Sequence, residues 1–219
     1  QTERGVSLTR VKLLGSARFC PQWHKINKTL LDEGSSRCAE DAKFCVLMFI
    51  PDWNYNIDRT ACIGLLLAVA RMTGVRLLIK ANTRGTGALG ENERRSLEKF
   101  PNVRFTDIAE HSPILIGQAD VVINFASSIG IEAILQRKPV CNPNYLNNNS
   151  TIFDSSGVVF DTKSEVSTLA FISSVKTGME LEQDEFAWDM FHRRYVLGGV
   201  ENSDVLGDYI ELLTSQKRR

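Results

Sequence analysis

The sequence predicts an α/β domain: a parallel sheet of about six strands with helices on both faces. Three observations predict it. First, short apolar runs rich in β-branched residues, such as FCVLMFI (44–50) and DVVINF (120–125), read as strands buried on both faces. Second, these runs alternate with segments of helical period, which is the signature of βαβ units with right-handed crossovers. Third, 43% of the 219 residues are hydrophobic and 24% are charged, an ordinary globular composition long enough to bury a large core.

In chain order, VKLLGSARFCPQW suggests a short strand, a turn and a helix from about Pro21 to Leu31. DEGSSRCAEDAK is polar and turn-rich, so a boundary is placed near Lys43. Residues 1–43 are read as a linker or N-terminal segment, and 44–219 as the sheet domain. Pro51 stops the first strand. PDWNYNID is a loop whose Asp58 caps a helix running to about Thr73, with Gly74 beyond its end. VRLLIK is the second strand, and ANTRGTGALG a glycine-rich loop. ENERRSLEKF is a helix whose early glutamates suit the dipole. VRFTD is a short third strand. SPILIGQA is a short helix with Ser112 as cap and Pro113 at its first position. DVVINF, PVCN and GVVFD complete the sheet. SSIGIEAILQRK lies between the first two of these, and helices follow at about 163–176, 183–195 and 203–215. This arrangement is Rossmann-like, with more closing helices than one sheet needs.

Lys plus Arg equals Asp plus Glu at 26 each, so net charge signals neither a wide nucleic-acid face nor a polybasic membrane patch. The five cysteines match no zinc or redox spacing, and a reducing, cytoplasmic setting is expected. No signal peptide and no apolar span of about 18 residues appears. His24, His111 and His192 lack metal-ligand spacing, so no metal is expected.

Ligands of open parallel sheets bind beyond the carboxyl ends of the strands. Three loops there carry suitable groups. At the end of the fourth strand, Ser127 and Ser128 begin a helix whose first N–H groups can bind an anion. Gly130 permits close approach, and Glu132, one turn on, can accept from ribose hydroxyls. The same residues also read as a helix cap with Glu132 near the reciprocal position. After the second strand, Lys80 and Arg84 suit a diphosphate, although the loop is neither a Walker nor a GxGxxG motif. After the first, Trp53 and Tyr55 can stack on a base or sugar while Asp58 or Arg59 bonds to it; the alternative is a hydrophobic latch with a cap. In NPNYLNNNSTIFDSSG, Tyr145 and the asparagines offer contacts to a base, or form a series of turns.

The runs INFASSIGIEAILQRKPV and NPNYLNNNSTIFDSSGVVF resemble the carboxyl-terminal, nucleotide-sugar-binding domain of GT-B glycosyltransferases, those of surface and capsular polysaccharide synthesis in particular. LGSARFCPQW resembles the segment that joins the two halves of such enzymes. The resemblance implies that Ser127 and Ser128 meet the donor phosphates and Glu132 the ribose. Many relatives carry His-Pro after the second strand; this chain has IKANTRG, with Lys80 and Arg84 keeping the positive charge. It also implies a nucleotide-sugar donor as substrate, no further cofactor, and a missing N-terminal domain that binds the acceptor. Any peripheral membrane association is expected through other parts of the enzyme. A complete enzyme of this kind needs two domains of roughly 150–200 residues, so the chain alone is expected to bind nucleotide and turn over poorly. No residue is singled out as catalytic. A sugar-nucleotide epimerase of the same architecture and a non-catalytic interaction domain are the alternatives.

Overall fold

The computed structural model describes residues 11–34, 43–81, 89–125, 127–179, 184–199 and 204–215. The chain divides into two compact units, one of Gln1–Thr29 with Glu185–Arg219, the other of Leu30–Asp184. This differs from the division expected at Lys43, because the last two helices group with the N-terminal segment.

The larger unit is one parallel sheet of six strands: β1 (Phe44–Phe49), β2 (Val75–Lys80), β3 (Val103–Phe105), β4 (Val121–Ile123), β5 (Val140–Pro143) and β6 (Phe160–Thr162). Their order is β3-β2-β1-β4-β5-β6. The helices between them are α2 (Arg59–Ala70), α3 (Glu91–Glu98), α4 (Ser112–Gln118) and α5 (Ile129–Leu135), and α6 (Glu165–Lys176) follows β6. α1 (Pro21–Gly34) precedes the sheet and spans the division between the units.

Because successive side chains of a strand point to opposite faces, each apolar run feeds two cores. Val46, Met48, Leu77, Ile79, Val121, Ile123 and Cys141 pack against Leu65 and Leu66 of α2, Leu97 of α3 and Ile172 of α6. The alternate residues Leu47, Leu78 and Val122, all buried, point to the other face, where α4 lies against β1 and α5 against β5. A continuous apolar strand is therefore what this sheet demands, and the sequence reads that way.

The helix starts follow local chemistry. Asp58 accepts from the Ala61 N–H at 2.9 Å and caps α2. Glu93 accepts from the Gly90 N–H at 2.6 Å and opens α3. Ser164 accepts from the Ser167 N–H at 3.1 Å and opens α6. Gly74 takes φ +70 beyond α2, the left-handed turn expected of it. Ser112 is the first helical residue rather than the cap: the His111 carbonyl takes the first helical bonds, from Ile114 at 3.1 Å and Leu115 at 3.2 Å.

In the smaller unit, α7 (Glu185–Tyr195) and α8 (Val205–Ser215) pack with the segment before α1. The short strand expected at its start is not formed among the described residues. Instead Ser16 N–H donates to the Val196 carbonyl at 2.8 Å, and Tyr209 Oη donates to the Gly15 carbonyl at 3.2 Å. Gly15 is required there, since a Cβ would lie 2.5 Å from Val196 O and 2.6 Å from Val205 Cγ2.

Candidate functional site

The strand order reverses between β1 and β4. β1 connects through α2 toward β2 on one face; β4 connects through α5 toward β5 on the other. The two chains diverge at their carboxyl ends, and that switch point is where an open α/β sheet binds ligands.

Two loops meet across it. Ile57 forms an antiparallel bridge with Asn147, and Asp58 N–H donates to the Leu146 carbonyl at 2.8 Å. Asn149 Nδ2 donates to the Tyr55 carbonyl at 2.5 Å. The loops after β1 and β5 are thus joined across the end of the strand between them, β4.

At the end of β4, Ser128 is exposed and Ser127 half-buried. The turn consumes most of its own amides. Ser127 N–H donates to Asn124 Oδ1 at 3.3 Å, and Ile129 N–H to Ser127 Oγ at 3.4 Å. Gly130 N–H donates to the Ser127 carbonyl at 3.0 Å and Ile131 N–H to the Ser128 carbonyl at 3.1 Å. The Ser128 amide makes no hydrogen bond among the described residues. The expected array of open helix amides is therefore reduced to Ser128, with two further amides held only by long, weak bonds.

Gly130 has a packing role that differs from the one expected. A Cβ there would stand 2.6 Å from Asn124 Nδ2 and 3.0 Å from Phe153 Cζ, so the glycine makes room for these two side chains. Glu132 is also displaced from its expected role. Only 3% exposed, it accepts from Gln136 Nε2 at 3.1 Å, and the same amide donates to the Pro113 carbonyl at 3.0 Å. Turned into the α4–α5 contact, this carboxylate closes no capping box among the described residues.

Lys80 is buried at the end of β2. Its Nζ donates to the carbonyls of Asp107 at 3.0 Å and Ile108 at 3.3 Å. Burial lowers its pKa, against the opposing pull of Glu110 and Asp107. Arg104 closes the same loop with a bidentate pair to Glu110 at 3.0 Å, and Glu110 also accepts from Asp107 N–H at 2.6 Å. Lys80 thus clamps the β3–α4 loop, so in this structure its ammonium is held by two carbonyls rather than offered to a diphosphate. Arg84 lies outside the described residues.

Tyr145, expected to contact a base, is half-buried. Its ring packs into the core beside α2 and α6, and its hydroxyl is buried, which pushes its pKa up to about 12. Trp53 packs on the same core under the Arg59 guanidinium, 5.2 Å from the ring centre. Arg59 pairs with Glu93 at 2.6 Å, joining the starts of α2 and α3. Tyr55 is exposed. Of the expected residues, then, Ser127 and Ser128 border the switch point with groups left to offer, and Asp58 caps the helix beside it.

The sequence reading passed over two polar residues, Asn124 and Asp161, and took Asn142 only as one of the asparagines of the loop after β5. Their signal is that each ends or interrupts an apolar run, VVIN, VCN and VVFD, at its carboxyl end. Among the described residues no group of three or more His, Cys, Asp or Glu side chains could hold a metal ion, and no helix is long and apolar enough to cross a membrane.

No protein-family model matches the sequence, and no curated protein matches it. Solved structures do. HepE of Anabaena, in complex with UDP-glucose, superposes with a TM-score of 0.57 at 14% identity, covering 98% of this chain and 60% of that one. The wall teichoic acid polymerase TagF, soaked with CDPG, gives 0.56 at 16% identity, covering 98% of this chain and 53% of that one. The chain spans between two fifths and three fifths of the structures it resembles. The chain shares the Rossmann-like α/β fold found in these two structures, the fold that the sequence resemblance implies.

Proposed function

We propose that this chain is the donor-binding part of a glycosyltransferase that takes a sugar, or a comparable polyol phosphate, from a nucleotide-activated donor in surface polysaccharide or glycoconjugate synthesis. The observation that carries the reading is the switch point between β1 and β4. There the exposed Ser128, with an uncommitted amide, stands at the crest of a turn whose neighbouring amides are weakly held. The likeness to HepE and TagF, whose structures contain UDP-glucose and CDPG, supports a nucleoside diphosphate as the ligand class.

In this reading the Ser128 N–H and hydroxyl, with the Ser127 hydroxyl, donate to the diphosphate. Hydrogen bonds to charge that develops on the leaving diphosphate lower the barrier for transfer. An acceptor site is supplied by a second domain. Calorimetric titration with UDP, GDP, CDP and CMP tests the reading. Binding of at least one nucleotide, weakened by Ser127→Ala with Ser128→Ala, is expected. Absence of heat with all four overturns it.

A further inference from the structure

Two buried amides on neighbouring strands remain unexplained by this reading. Asn124 and Asn142 follow directly on Ile123 and Cys141, which are paired partners in β4 and β5. They therefore leave the sheet at the same level. Ile123 and Cys141 face the core under α2, so both asparagines point to the opposite face, that of α5. Asn124 is 0% exposed and Asn142 1%.

Each amide is oriented by a partner that acts in one sense only. Asn124 Oδ1 accepts from the Ser127 N–H, which can only donate. Asn142 Nδ2 donates to Asp161 Oδ1 at 3.0 Å, and an ionised carboxylate can only accept. The same Nδ2 donates to Asn144 Oδ1 at 2.7 Å. That leaves Asn124 Nδ2, a donor, and Asn142 Oδ1, an acceptor, both buried and neither partnered among the described residues.

Such a pair calls for a group that accepts from one and donates to the other. A hydroxyl does both. One oxygen that bridges the two amides needs about 2.8 Å to each, a span of the same order as the ~4.8 Å between neighbouring strands. Asp161 is exposed and Asn144 half-buried, so the polar cluster runs from the surface to Asn142.

We propose that Asn124 and Asn142 form a receptor for one hydroxyl of a polyhydroxylated ligand, a sugar or short polyol, with Asp161 and Asn144 taking its neighbouring hydroxyls. The ligand hydroxyl accepts from Asn124 Nδ2 and donates to Asn142 Oδ1. Naming that ligand as the transferred portion of the donor rests on the donor-binding reading, and places it on the α5 side of β4. Asn124 is the link, since its other end holds the Ser127 amide at the switch point.

Heteronuclear amide NMR of the full chain tests this. The side-chain amide resonances of Asn124 and Asn142 are assigned with Asn124→Asp and Asn142→Asp, or by through-bond correlation if either variant fails to fold. UDP-glucose, CDP-glycerol, UDP, CDP, free glucose and free glycerol are then titrated in turn. At least one sugar- or polyol-bearing compound is expected to shift both side-chain pairs, while UDP and CDP leave them in place. Side chains unmoved by every such compound indicate a bridging water only and overturn the proposal, as does an equal shift with bare UDP or CDP. Shifts with free glucose or glycerol, without binding of any nucleotide, uphold the hydroxyl receptor while the donor-binding reading falls.

Discussion

Asn124 Oδ1 accepts the Ser127 N–H at 3.3 Å, so the last residue of a strand run holds the first turn of the next helix through its side chain. The turn at 124–131 is set by this contact and by 3.0–3.1 Å backbone bonds of the tight, one-turn kind at Gly130 and Ile131. Ser128 is left facing solvent at the crest.

The same turn needs a residue without a side chain at 130. Gly130→Ala sets a Cβ 2.6 Å from Asn124 Nδ2 and 3.0 Å from Phe153 Cζ. Overpacking costs about 1–3 kcal/mol, and the better helix propensity of Ala recovers up to about 1 kcal/mol. A net loss of stability is expected in urea unfolding; an unchanged or raised midpoint contradicts the packing described.

The two serines behave differently. Ser128 is exposed, and the described bonds of the Ser127 turn are long. Ser127→Ala with Ser128→Ala is expected to change stability by about 0.5 kcal/mol or less, as for surface sites. Nucleotide affinity is expected to fall about tenfold, the loss of roughly 1.4 kcal/mol. Calorimetry and urea unfolding of the double variant separate the two effects.

Glu110 predicts a pH dependence. Burial pushes its pKa up, but Arg104, the Asp107 N–H and Lys80 outweigh this and hold it below the usual carboxylate range. A carboxyl lowered on folding contributes stability that is complete above its unfolded pKa of about 4.3 and is lost as pH falls through the folded value. Glu110→Gln is expected to cost ~0.5–1 kcal/mol at neutral pH, since the pair is partly exposed. The variant should also lose less stability than the wild type between neutral pH and the acid side of that window. Parallel urea curves across this range check both.

The architecture was legible because burial on both faces forces strands such as FCVLMF and VRLLIK to be continuously apolar, and few other contexts tolerate that pattern. Caps were legible where the chemistry is local, as at Asp58. The site was less so. Lys80 and Tyr145 have the right residue types near the right strand ends, yet their surroundings, the Asp107 carbonyl and the core beside α6, come from distant loops and helices, and the Gln136 that meets Glu132 one turn on is itself tied to the Pro113 carbonyl of α4. A sequence shows which residue ends a strand; it does not show which tertiary neighbour claims its side chain. The pairing of Asn124 with Asn142 depends likewise on the β4–β5 register, visible only once the strands are aligned.

Cys62 and Cys141 are both buried, which pushes their thiols up to about 12. The thiolate is the reactive form, so neither is expected to be alkylated in the native protein, and both should react once urea unfolds it. Peptide mapping after iodoacetamide treatment checks this; modification of Cys141 under native conditions contradicts the packing of β5 against α6.

The most direct test of the central claim, that the switch point between β1 and β4 receives a nucleoside diphosphate, is amide hydrogen exchange with and without a bound nucleotide. Slowed exchange in the peptide spanning 124–131 is the expected result. Binding accompanied by protection elsewhere, with that peptide unchanged, contradicts it.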